Sequence, residues 1–472
     1  MSHYGYVSEQ LLTGRLWPPR RRRPKPEPEP PRLDVDRMRS HFDFAGTGRV
    51  VTNNAATSQT PRELIELFRE LSPRYESVHR GQSTASRRIT EEFEESFDTI
   101  ATWLNAPSRR CIATYRNTTE AINAVMYSLL TEFRDGDNVV TTLMEHNSNF
   151  VPWYALSREI LPRLGRRVEC RVVRFDHETG ELDLDHLAEL VDDRTKLVCV
   201  TGASNFLGTK PPLHRIRRIA DESGYRRGDG RSGSLLLVDA AQLAPTSVID
   251  VIALDVDYLA FSFHKVLAPF GVGVLYAREP LLQGSLPFLY GGDMIAEGRV
   301  SPDLVEYGDL PWKYAAGTPN VLGVIASAQA LRLLVDLALD PDEPWFGTAR
   351  PLPRTHVESA MTLVSSHVRS LTDAALRRAL AIPGVQVYGP GPDVSRSPLV
   401  AFTVRGRDSR QVASALDEHR VEARAGCHCA TLAHLDLKLN PPASCRLSFA
   451  AYTSHEDVDR AFTALERVVG AR

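Results

Sequence analysis

Residues 235–277 constrain the fold of this chain more than any other stretch. They contain three short apolar runs, at 235–238, 258–263 and 273–277. Apolar runs of this length are typical of strands buried on both faces of an α/β sheet. The first run leads into Asp239 and the second into Lys265. Ligands of such sheets bind at the carboxyl ends of the strands, so we expect this carboxylate and this amine to meet there.

The composition is that of an ordinary globular protein. The chain has 472 residues, of which 43% are hydrophobic and 24% charged, with a net charge of -3. This charge gives no reason to expect a nucleic-acid partner. We see no apolar run near the ~20 residues of a membrane span and no signal-peptide core. Six cysteines are few for this length, which favours the reducing cytoplasm over a disulfide framework.

The chain is predicted to have three parts. Residues 1–49 form an N-terminal arm, in which 18–32 read PPRRRRPKPEPEPPR. Such a segment favours extended conformations and cannot bury a core, so we expect a solvated tail; a docking arm is the alternative. Residues 50–320 are predicted to form a large α/β domain with a mostly parallel sheet, and 321–472 a small α+β domain. Residues 340–353 are expected to be a loop or insertion.

A carboxylate and a lysine at neighbouring strand ends suit pyridoxal phosphate chemistry, in which the lysine forms a Schiff base and the acid holds the pyridine nitrogen protonated. Either residue alone would more often be unrelated to a ligand. Together with their surroundings, VDAAQ and FSFHKVLAPFG, they resemble the class V aminotransferases, and most closely the Suf-type cysteine desulfurases. The resemblance implies fold type I and pyridoxal phosphate as cofactor. It assigns Asp239 to the ring nitrogen, Gln242 to the ring oxygen, Lys265 to the Schiff base, and Ser262 and His264 to the phosphate.

Three further motifs carry the same resemblance. Thr118 and Thr119 begin a predicted helix, where hydroxyls and free N–H groups suit a phosphate; the family binds its cofactor phosphate here, although a plain helix cap would look similar. The segment EHNSNFVPW implies that His146 stacks on the cofactor ring. The segment TGASNFLG implies that Asn205 lies beside the ring hydroxyl and the substrate.

A cysteine segment, RAGCHCA at 424–430, forms a second chemical centre. The resemblance implies that Cys429 is the nucleophile that takes sulfur from the substrate, since an activated thiol is needed to attack sulfur. Arg424 and the neighbouring histidine would favour its thiolate. The segment SCRLS implies that Arg446 binds the substrate carboxylate, for which a bidentate guanidinium is suited.

Cys427 departs from the family pattern. It creates a Cys-x-Cys pair, for which we consider an inert thiol and a thiol that resolves a persulfide on Cys429, and expect the inert one. If the segment is extended, both side chains point to the same side. A metal site would need Cys427, Cys429, Cys445 and His434 to converge, and the spacing is poor for zinc, so we expect no metal.

The resemblance therefore implies a homodimeric enzyme with shared active sites, since the family uses the segment around Thr318 to reach the phosphate of the partner subunit. It implies L-cysteine as the substrate, alanine as a product, and a protein as a possible sulfur acceptor. Two alternatives stay open. One is another reaction of the class, such as transamination, C–S lysis or epimerisation, since one fold hosts many chemistries. The other is a non-catalytic sulfur-carrying or scaffold subunit.

Overall fold

A seven-stranded sheet forms the centre of the protein. The computed structural model describes residues 32–470 of the chain, so most of the predicted N-terminal arm lies outside the described residues. The strands are β1 (Val50–Val51), β2 (Ile112–Tyr115), β3 (Asn138–Thr142), β4 (Glu169–Val173), β5 (Thr195–Thr201), β6 (Leu235–Asp239), β7 (Tyr258–Ser262), β8 (Gly273–Ala277), β9 (Ile295–Ser301), β10 (Leu304–Tyr307), β11 (Val385–Tyr388), β12 (Leu399–Val404), β13 (Val421–Glu422), β14 (Arg424–Gly426) and β15 (Ser444–Ser448).

Helices pack on the sheets of the protein and connect its strands. They are α1 (Val35–Arg39), α2 (Arg62–Leu71), α3 (Thr84–Leu104), α4 (Thr118–Leu129), α5 (Val151–Ala155), α6 (Leu161–Arg163), α7 (Leu184–Leu190), α8 (Leu213–Asp221), α9 (Glu279–Gly284), α10 (Val321–Leu339), α11 (Arg354–Ala381), α12 (Ser409–Glu418), α13 (Thr431–Asp436) and α14 (His455–Gly470). A π-helical turn at Leu156–Ile160 joins α5 to α6.

The large sheet has the strand order β2-β8-β7-β6-β5-β3-β4. The pairs from β7 through β4 are parallel, and β8 runs antiparallel to both of its neighbours. Every residue of β3, β5, β6, β7 and β8 is buried, as expected when helices cover both faces. The predicted α/β fold with a mostly parallel sheet is confirmed, and the three apolar runs of residues 235–277 are its central strands.

A second, four-stranded antiparallel sheet follows, in the order β11-β12-β15-β14. Residues 421–426 form two short strands, because β13 leaves the sheet to pair in parallel with β1, Val50 opposite Val421. The loop predicted at 340–353 is present between α10 and α11. The division at residue 321 stays a prediction, and α10 packs against α3 of the large part.

Packing begins upstream of Val50, where we had placed the start of the globular chain. Met38 in α1 and Phe42 after it are each 1% exposed. Phe42 and Phe44 both pack against Tyr452, which lies near the C-terminal end of the chain. Residues 33–44 are therefore part of the core, because their aromatic side chains find a place between the N-terminal and C-terminal segments.

Helix α10 corrects the expectation that no apolar run approaches the length of a membrane span. Its 19 residues are long and apolar enough, but 94% of that window is buried inside the protein. Its two charged side chains are paired within the protein: Arg332 bonds Glu95 and Thr99 of α3, and Asp336 accepts from the Trp345 N–H at 2.9 Å. Its apolar surface is thus covered by neighbouring elements of the fold.

Candidate active site

A cavity of about 250 Å³ opens at the carboxyl ends of β3, β5, β6 and β7. All of the predicted site residues except Cys429 and Thr318 line it: Thr118, Thr119, His146, Asn205, Asp239, Gln242, Ser262, His264, Lys265, Arg424 and Arg446. The segment that contains β14 and β15 contributes the last two, so the cavity lies between the two sheets. Thr318 is exposed to solvent and lies outside it.

Asp239 is the last residue of β6, and Lys265 lies three residues after the end of β7. The Asp239 carboxylate accepts the N–H of Ala241 at 2.9 Å, and burial raises its pKa. Lys265 is half-buried as a residue, but burial of its amine lowers its pKa to about 8, against the opposing charge of Asp239. Burial therefore disfavours both charges, and a buried cationic group beside Asp239 would restore the carboxylate.

Helix α4 begins at the same cavity. Asn117 caps it by accepting the N–H of Glu120 at 3.0 Å, as Asn commonly does at this position. The Thr118 N–H donates to the Ser262 hydroxyl at 2.7 Å, and the two hydroxyls are 2.6 Å apart. The Thr119 hydroxyl contacts that of Ser148 at 2.6 Å. Hydroxyls grouped at the N-terminus of a helix form a site for an anion such as a phosphate.

Gly273 lets β8 pass directly beside this helix start. A Cβ atom at Gly273 would stand 2.5 Å from the Cα and carbonyl carbon of Asn117. Only glycine allows the two backbones to approach so closely. The position of the α4 N-terminus over the cavity therefore depends on the missing side chain of Gly273.

His146 follows β3 and is held by its own loop. The Ser148 N–H donates to His146 Nδ1 at 3.1 Å, so Nδ1 accepts and the proton of the neutral ring is on Nε2. Burial lowers the pKa of His146 to about 3, and the charges of Lys265 and Arg424 act in the same direction. The ring is therefore neutral at physiological pH, which suits stacking on another aromatic ring.

Glu145 was not singled out from the sequence, although it lies directly behind His146. Its carboxylate accepts the Thr142 hydroxyl at 2.6 Å, the Thr201 N–H at 2.9 Å and the Asn149 amide at 2.7 Å. Burial raises the pKa of Glu145 to about 8. This carboxyl connects the end of β3 to the end of β5, and an acidic residue directly before His146 was the available sequence signal.

Arg446 provides a positive charge that the protein itself does not neutralise. It is 1% exposed and donates from Nη1 to the Asn205 carbonyl at 2.7 Å. Its Nε and Nη2 are buried without a hydrogen-bond partner. Burial, and next the charge of Arg424, lower the pKa of Arg446 to about 9. Buried donors without partners are costly, and a carboxylate in the cavity would satisfy them.

The cysteine segment is a tight turn, not the extended segment considered from sequence. The Ala430 N–H donates to the Cys427 carbonyl at 2.8 Å, and His428 and Cys429 have φ values of +52° and +56°. These are features of a type I′ turn. Left-handed conformations cost non-glycine residues about 1–3 kcal/mol each and concentrate at functional sites.

Two further hydrogen bonds fasten this turn to the cavity. The Asn205 amide donates to the His428 carbonyl at 2.6 Å, and the Asn147 N–H donates to the Cys429 carbonyl at 2.7 Å. The His428 ring contacts the Ser444 hydroxyl at 3.0 Å. The Cys429 thiol is half-buried, 3.9 Å from Arg424 Nη2, and its charge acts on Lys265 and Arg446. Cys429 is thus held beside the cavity without lining it.

The cysteines outside the turn differ from Cys427 in the pKa values of their thiols. All six are free thiols. Burial raises the pKa values of Cys170 to about 11 and Cys445 to about 12. Within residues 32–470, no group of three or more His, Cys, Asp or Glu side chains is arranged to hold a metal ion.

The chain is similar to proteins of one family over most of its length. Residues 50–344 and 355–461 match the family model for class-V aminotransferases. A cysteine desulfurase of Dickeya dadantii is 35% identical over 441 residues, covering 92% of this chain and 96% of that protein. A probable cysteine desulfurase of Halobacterium salinarum is 34% identical over 442 residues, with the same coverage of 92% and 96%.

Solved structures give the same result. The cysteine desulfurase CsdA of Escherichia coli, in an S-sulfonic acid form, matches with a TM-score of 0.77 and 30% identity over 93% of this chain and 98% of that one. The apo cysteine desulfurase of Thermococcus onnurineus matches with a TM-score of 0.80 and 28% identity over 94% and 100%. The gap in the family match at 345–354 covers most of the loop between α10 and α11 and the first residue of α11.

Proposed function

This chain belongs to the class-V aminotransferase family, and on that premise we propose that it is a pyridoxal phosphate-dependent cysteine desulfurase. The reaction converts L-cysteine to L-alanine and leaves the sulfur on the enzyme as a persulfide of Cys429. One observation carries the choice of this activity within the family: a cysteine thiol is held at the cavity by a turn whose carbonyls are bonded to Asn147 and Asn205.

The residues of the cavity fit pyridoxal phosphate. Asp239 is placed to hold the ring nitrogen, and its raised pKa means that a cationic partner is needed to keep it ionised. The hydroxyls around Thr118, Ser262 and the start of α4 suit the phosphate. Asn205 has a buried side-chain oxygen without a partner, which suits the ring hydroxyl. When bound, pyridoxal phosphate supplies an electron sink for negative charge at the substrate Cα.

Arg446 and Arg424 bind and orient the substrate. The free Nε and Nη2 of Arg446 are placed to donate to its carboxylate. A carboxylate held there places the substrate in the space between Lys265 and the cysteine turn. His146 and His428 both line the cavity.

Lys265 is the residue that moves the Cα proton. A pKa of about 8 leaves a substantial part of its amine neutral near physiological pH, as a proton-transferring base requires. The Cys429 thiolate attacks the substrate sulfur, so that a new S–S bond forms as the C–S bond breaks. The electron pair of the C–S bond stays with the substrate carbon, which is then protonated to give alanine. The Arg424 guanidinium lies 3.9 Å from the Cys429 sulfur.

The test is a direct product assay of the holoenzyme with L-cysteine. We expect alanine and protein-bound sulfur, without pyruvate. Cys429→Ser should abolish alanine formation, whereas Cys170→Ser, a control at a half-buried thiol on β4, should behave as wild type. Full alanine production by Cys429→Ser, or pyruvate as the main product, would contradict the proposal and favour a different reaction of the family.

We further propose a cytoplasmic homodimer with shared sites. Thr318 is exposed and lies outside the cavity of its own chain, which leaves it free to reach the phosphate site of a partner. The β9–β10 hairpin is largely exposed and carries Val300, Leu304 and Val305 at its surface, as expected of a face that a second subunit covers.

Six free thiols suit a reducing compartment. A protein that accepts sulfur would dock near the cysteine turn.

A further inference from the structure

Two cysteine thiols occupy the same four-residue turn. Cys427 is its first residue and Cys429 its third, with the hydrogen bond between the Cys427 carbonyl and the Ala430 N–H closing it at 2.8 Å. The ends of such a turn lie within about 7 Å of each other. Both thiols are half-buried. The two thiols are therefore carried two residues apart by a single turn whose backbone is fixed by hydrogen bonds.

The two thiols have different surroundings. Cys429 is the one whose charge acts on Lys265 and Arg446 in the cavity. The Thr431 hydroxyl, and next the backbone N–H of Cys429 and the charge of Arg424, lower the pKa of Cys427 against the opposing effect of burial. Burial instead raises the pKa values of Cys111, Cys170 and Cys445. Cys427 is thus placed in surroundings that stabilise a thiolate, which an inert core thiol does not need.

The fixed turn also restricts Cys429. Its own carbonyl and the carbonyl of His428 are bonded to Asn147 and Asn205 at 2.7 and 2.6 Å. Moving its sulfur far from the cavity would break these bonds. A sulfur atom taken up on Cys429 would leave most directly through a second thiol within reach.

We infer that Cys427 is a second sulfur carrier, which accepts the outer sulfur of a Cys429 persulfide and passes it to an external thiol. This inference rests on the proposed function, because it needs the persulfide on Cys429. It replaces the inert role that the sequence alone favoured for Cys427.

The transfer balances without any oxidant or reductant. The Cys427 thiolate attacks the outer sulfur of the Cys429 persulfide. The S–S bond to Cys429 breaks as an S–S bond to Cys427 forms, and the electron pair leaves with Cys429 as its thiolate. The outer sulfur keeps its proton and its oxidation state. An external thiolate then repeats the same exchange at Cys427.

The surroundings of Cys427 favour sulfur transfer from Cys429 to Cys427 and from there to the external thiol. Thiol exchange is faster when the departing thiolate is more stable. When an external thiolate removes the outer sulfur from Cys427, the departing thiolate is the one that Thr431 and the Cys429 N–H stabilise. A stabilised thiolate thus makes Cys427 a good leaving group in the last transfer.

The experiment is a time course of the holoenzyme with L-cysteine, stopped by alkylation and analysed by peptide mass spectrometry. Trypsin cleavage after Arg424 and Lys438 leaves both thiols on one peptide, in which fragment ions separate the two positions. We expect the extra sulfur first on Cys429 and then on Cys427. With dithiothreitol as acceptor, Cys427→Ser should form alanine in the first turnover and then turn over at least tenfold more slowly than wild type.

Cys170→Ser is the matched control and should keep the wild-type rate in both phases. Sulfur found only on Cys429, together with unchanged turnover of Cys427→Ser, would overturn the inference. So would a Cys427–Cys429 disulfide in place of a Cys427 persulfide. If wild type makes no alanine, the proposed function itself fails and the relay with it. Should Cys427→Ser not fold, the position of the sulfur in wild type still decides.

A second readout needs no turnover. In the apoprotein, Thr431→Val removes the hydroxyl that donates to Cys427, and should shift the pH profile of Cys427 alkylation by iodoacetamide to higher pH. Thr431→Ser, which keeps a hydroxyl, should restore the wild-type profile. Equal profiles in all three proteins would show that Thr431 does not act on this thiol and would overturn the favoured direction of transfer.

Discussion

At the scale of single residues, the cavity is a place where burial disfavours charge. It raises the pKa of Asp239, lowers the pKa of Lys265 to about 8 and lowers the pKa of His146 to about 3. Arg446 stays cationic with two donors unpaired. The chain itself thus leaves these groups electrostatically unsatisfied, and a ligand with a cationic ring nitrogen and anionic phosphate and carboxylate groups would satisfy them.

We expect Lys265→Ala to lose all turnover, since the amine that moves the Cα proton is removed. The holoprotein should still retain pyridoxal phosphate in part, through Asp239 and the hydroxyls at the start of α4. Lys210→Ala is the matched control, because burial lowers the pKa of Lys210 to about 8 as well, in a groove away from the cavity. Steady-state alanine formation measures both. Turnover in Lys265→Ala above background would contradict the assignment.

His428 in the cysteine turn should make the fold sensitive to acid. Burial, and next Arg446, lower its pKa to about 2 in the folded protein, against ~6.5 in an unfolded chain. Below pH 6.5, His428 therefore binds a proton in the unfolded chain but stays neutral in the folded protein. The stability due to the neutral ring is fully present above pH 6.5 and is lost as the pH falls towards 2.

The measurement compares urea unfolding of wild type and His428→Gln apoproteins. Any stability advantage of wild type should shrink between pH 6.5 and 4.5, by up to about 1.4 kcal/mol per pH unit. A difference that does not change with pH would mean that His428 does not titrate on unfolding in this range.

At the scale of elements, the site depends on how closely a strand approaches a helix. We expect Gly273→Ala to push β8 away from Asn117, because the added Cβ would stand 2.5 Å from its backbone. Overpacking of this kind costs about 1–3 kcal/mol. It should lower both the free energy of unfolding and the retention of pyridoxal phosphate on dialysis.

Gly284→Ala is the control, since a Cβ there meets nothing within 4 Å and the residue ends helix α9. It should leave both measurements near wild type. Equal behaviour of the two variants would show that the contact between Gly273 and Asn117 does not set the position of α4.

The central elements could be predicted from sequence, and the connections between distant elements could not. The apolar run at 235–238 and the polar residue after it identify β6 and Asp239, because burial on both faces gives a continuous local pattern. The motif residues around Lys265 then place the cavity. In contrast, β1 has only two residues and pairs with Val421, and so short a run carries no periodicity.

The cysteine turn was missed for a related reason. Type I′ turns are usually marked by Asn, Asp or Gly at their two central positions, and here those positions are His428 and Cys429. Their left-handed conformations are enforced from outside, by the bonds from Asn205 and Asn147 to their carbonyls. Tertiary contacts overrode the local preference, so the sequence of the turn alone could not reveal its shape.

At the scale of the whole molecule, the exposed Thr318 and the apolar β9–β10 hairpin lead to a prediction about assembly. Each site should take Lys265 from one subunit and Thr318 from the other. Thr318→Ala should weaken retention of pyridoxal phosphate. Mixed dimers of Thr318→Ala and Lys265→Ala should then contain one intact site, with up to half of the wild-type activity per dimer.

The measurement is alanine formation after the two variants are refolded or co-expressed together, with differently tagged subunits to isolate the mixed dimer. Homodimers of each variant, carried through the same procedure, are the controls. Activity of the mixed dimer no greater than that of the homodimers would exclude sharing of these two residues.

The pairing of β1 with β13 has a consequence for how the protein is made. Val50 lies opposite Val421, and Asn53 bridges Ser448, so the partner of this strand leaves the ribosome roughly 370 residues later. At about 5–20 residues per second, the delay is roughly 20–70 s. During synthesis β1 therefore stays unpaired while the strands of the central sheet are made. The cavity can close only after the cysteine turn and β15 have been synthesised.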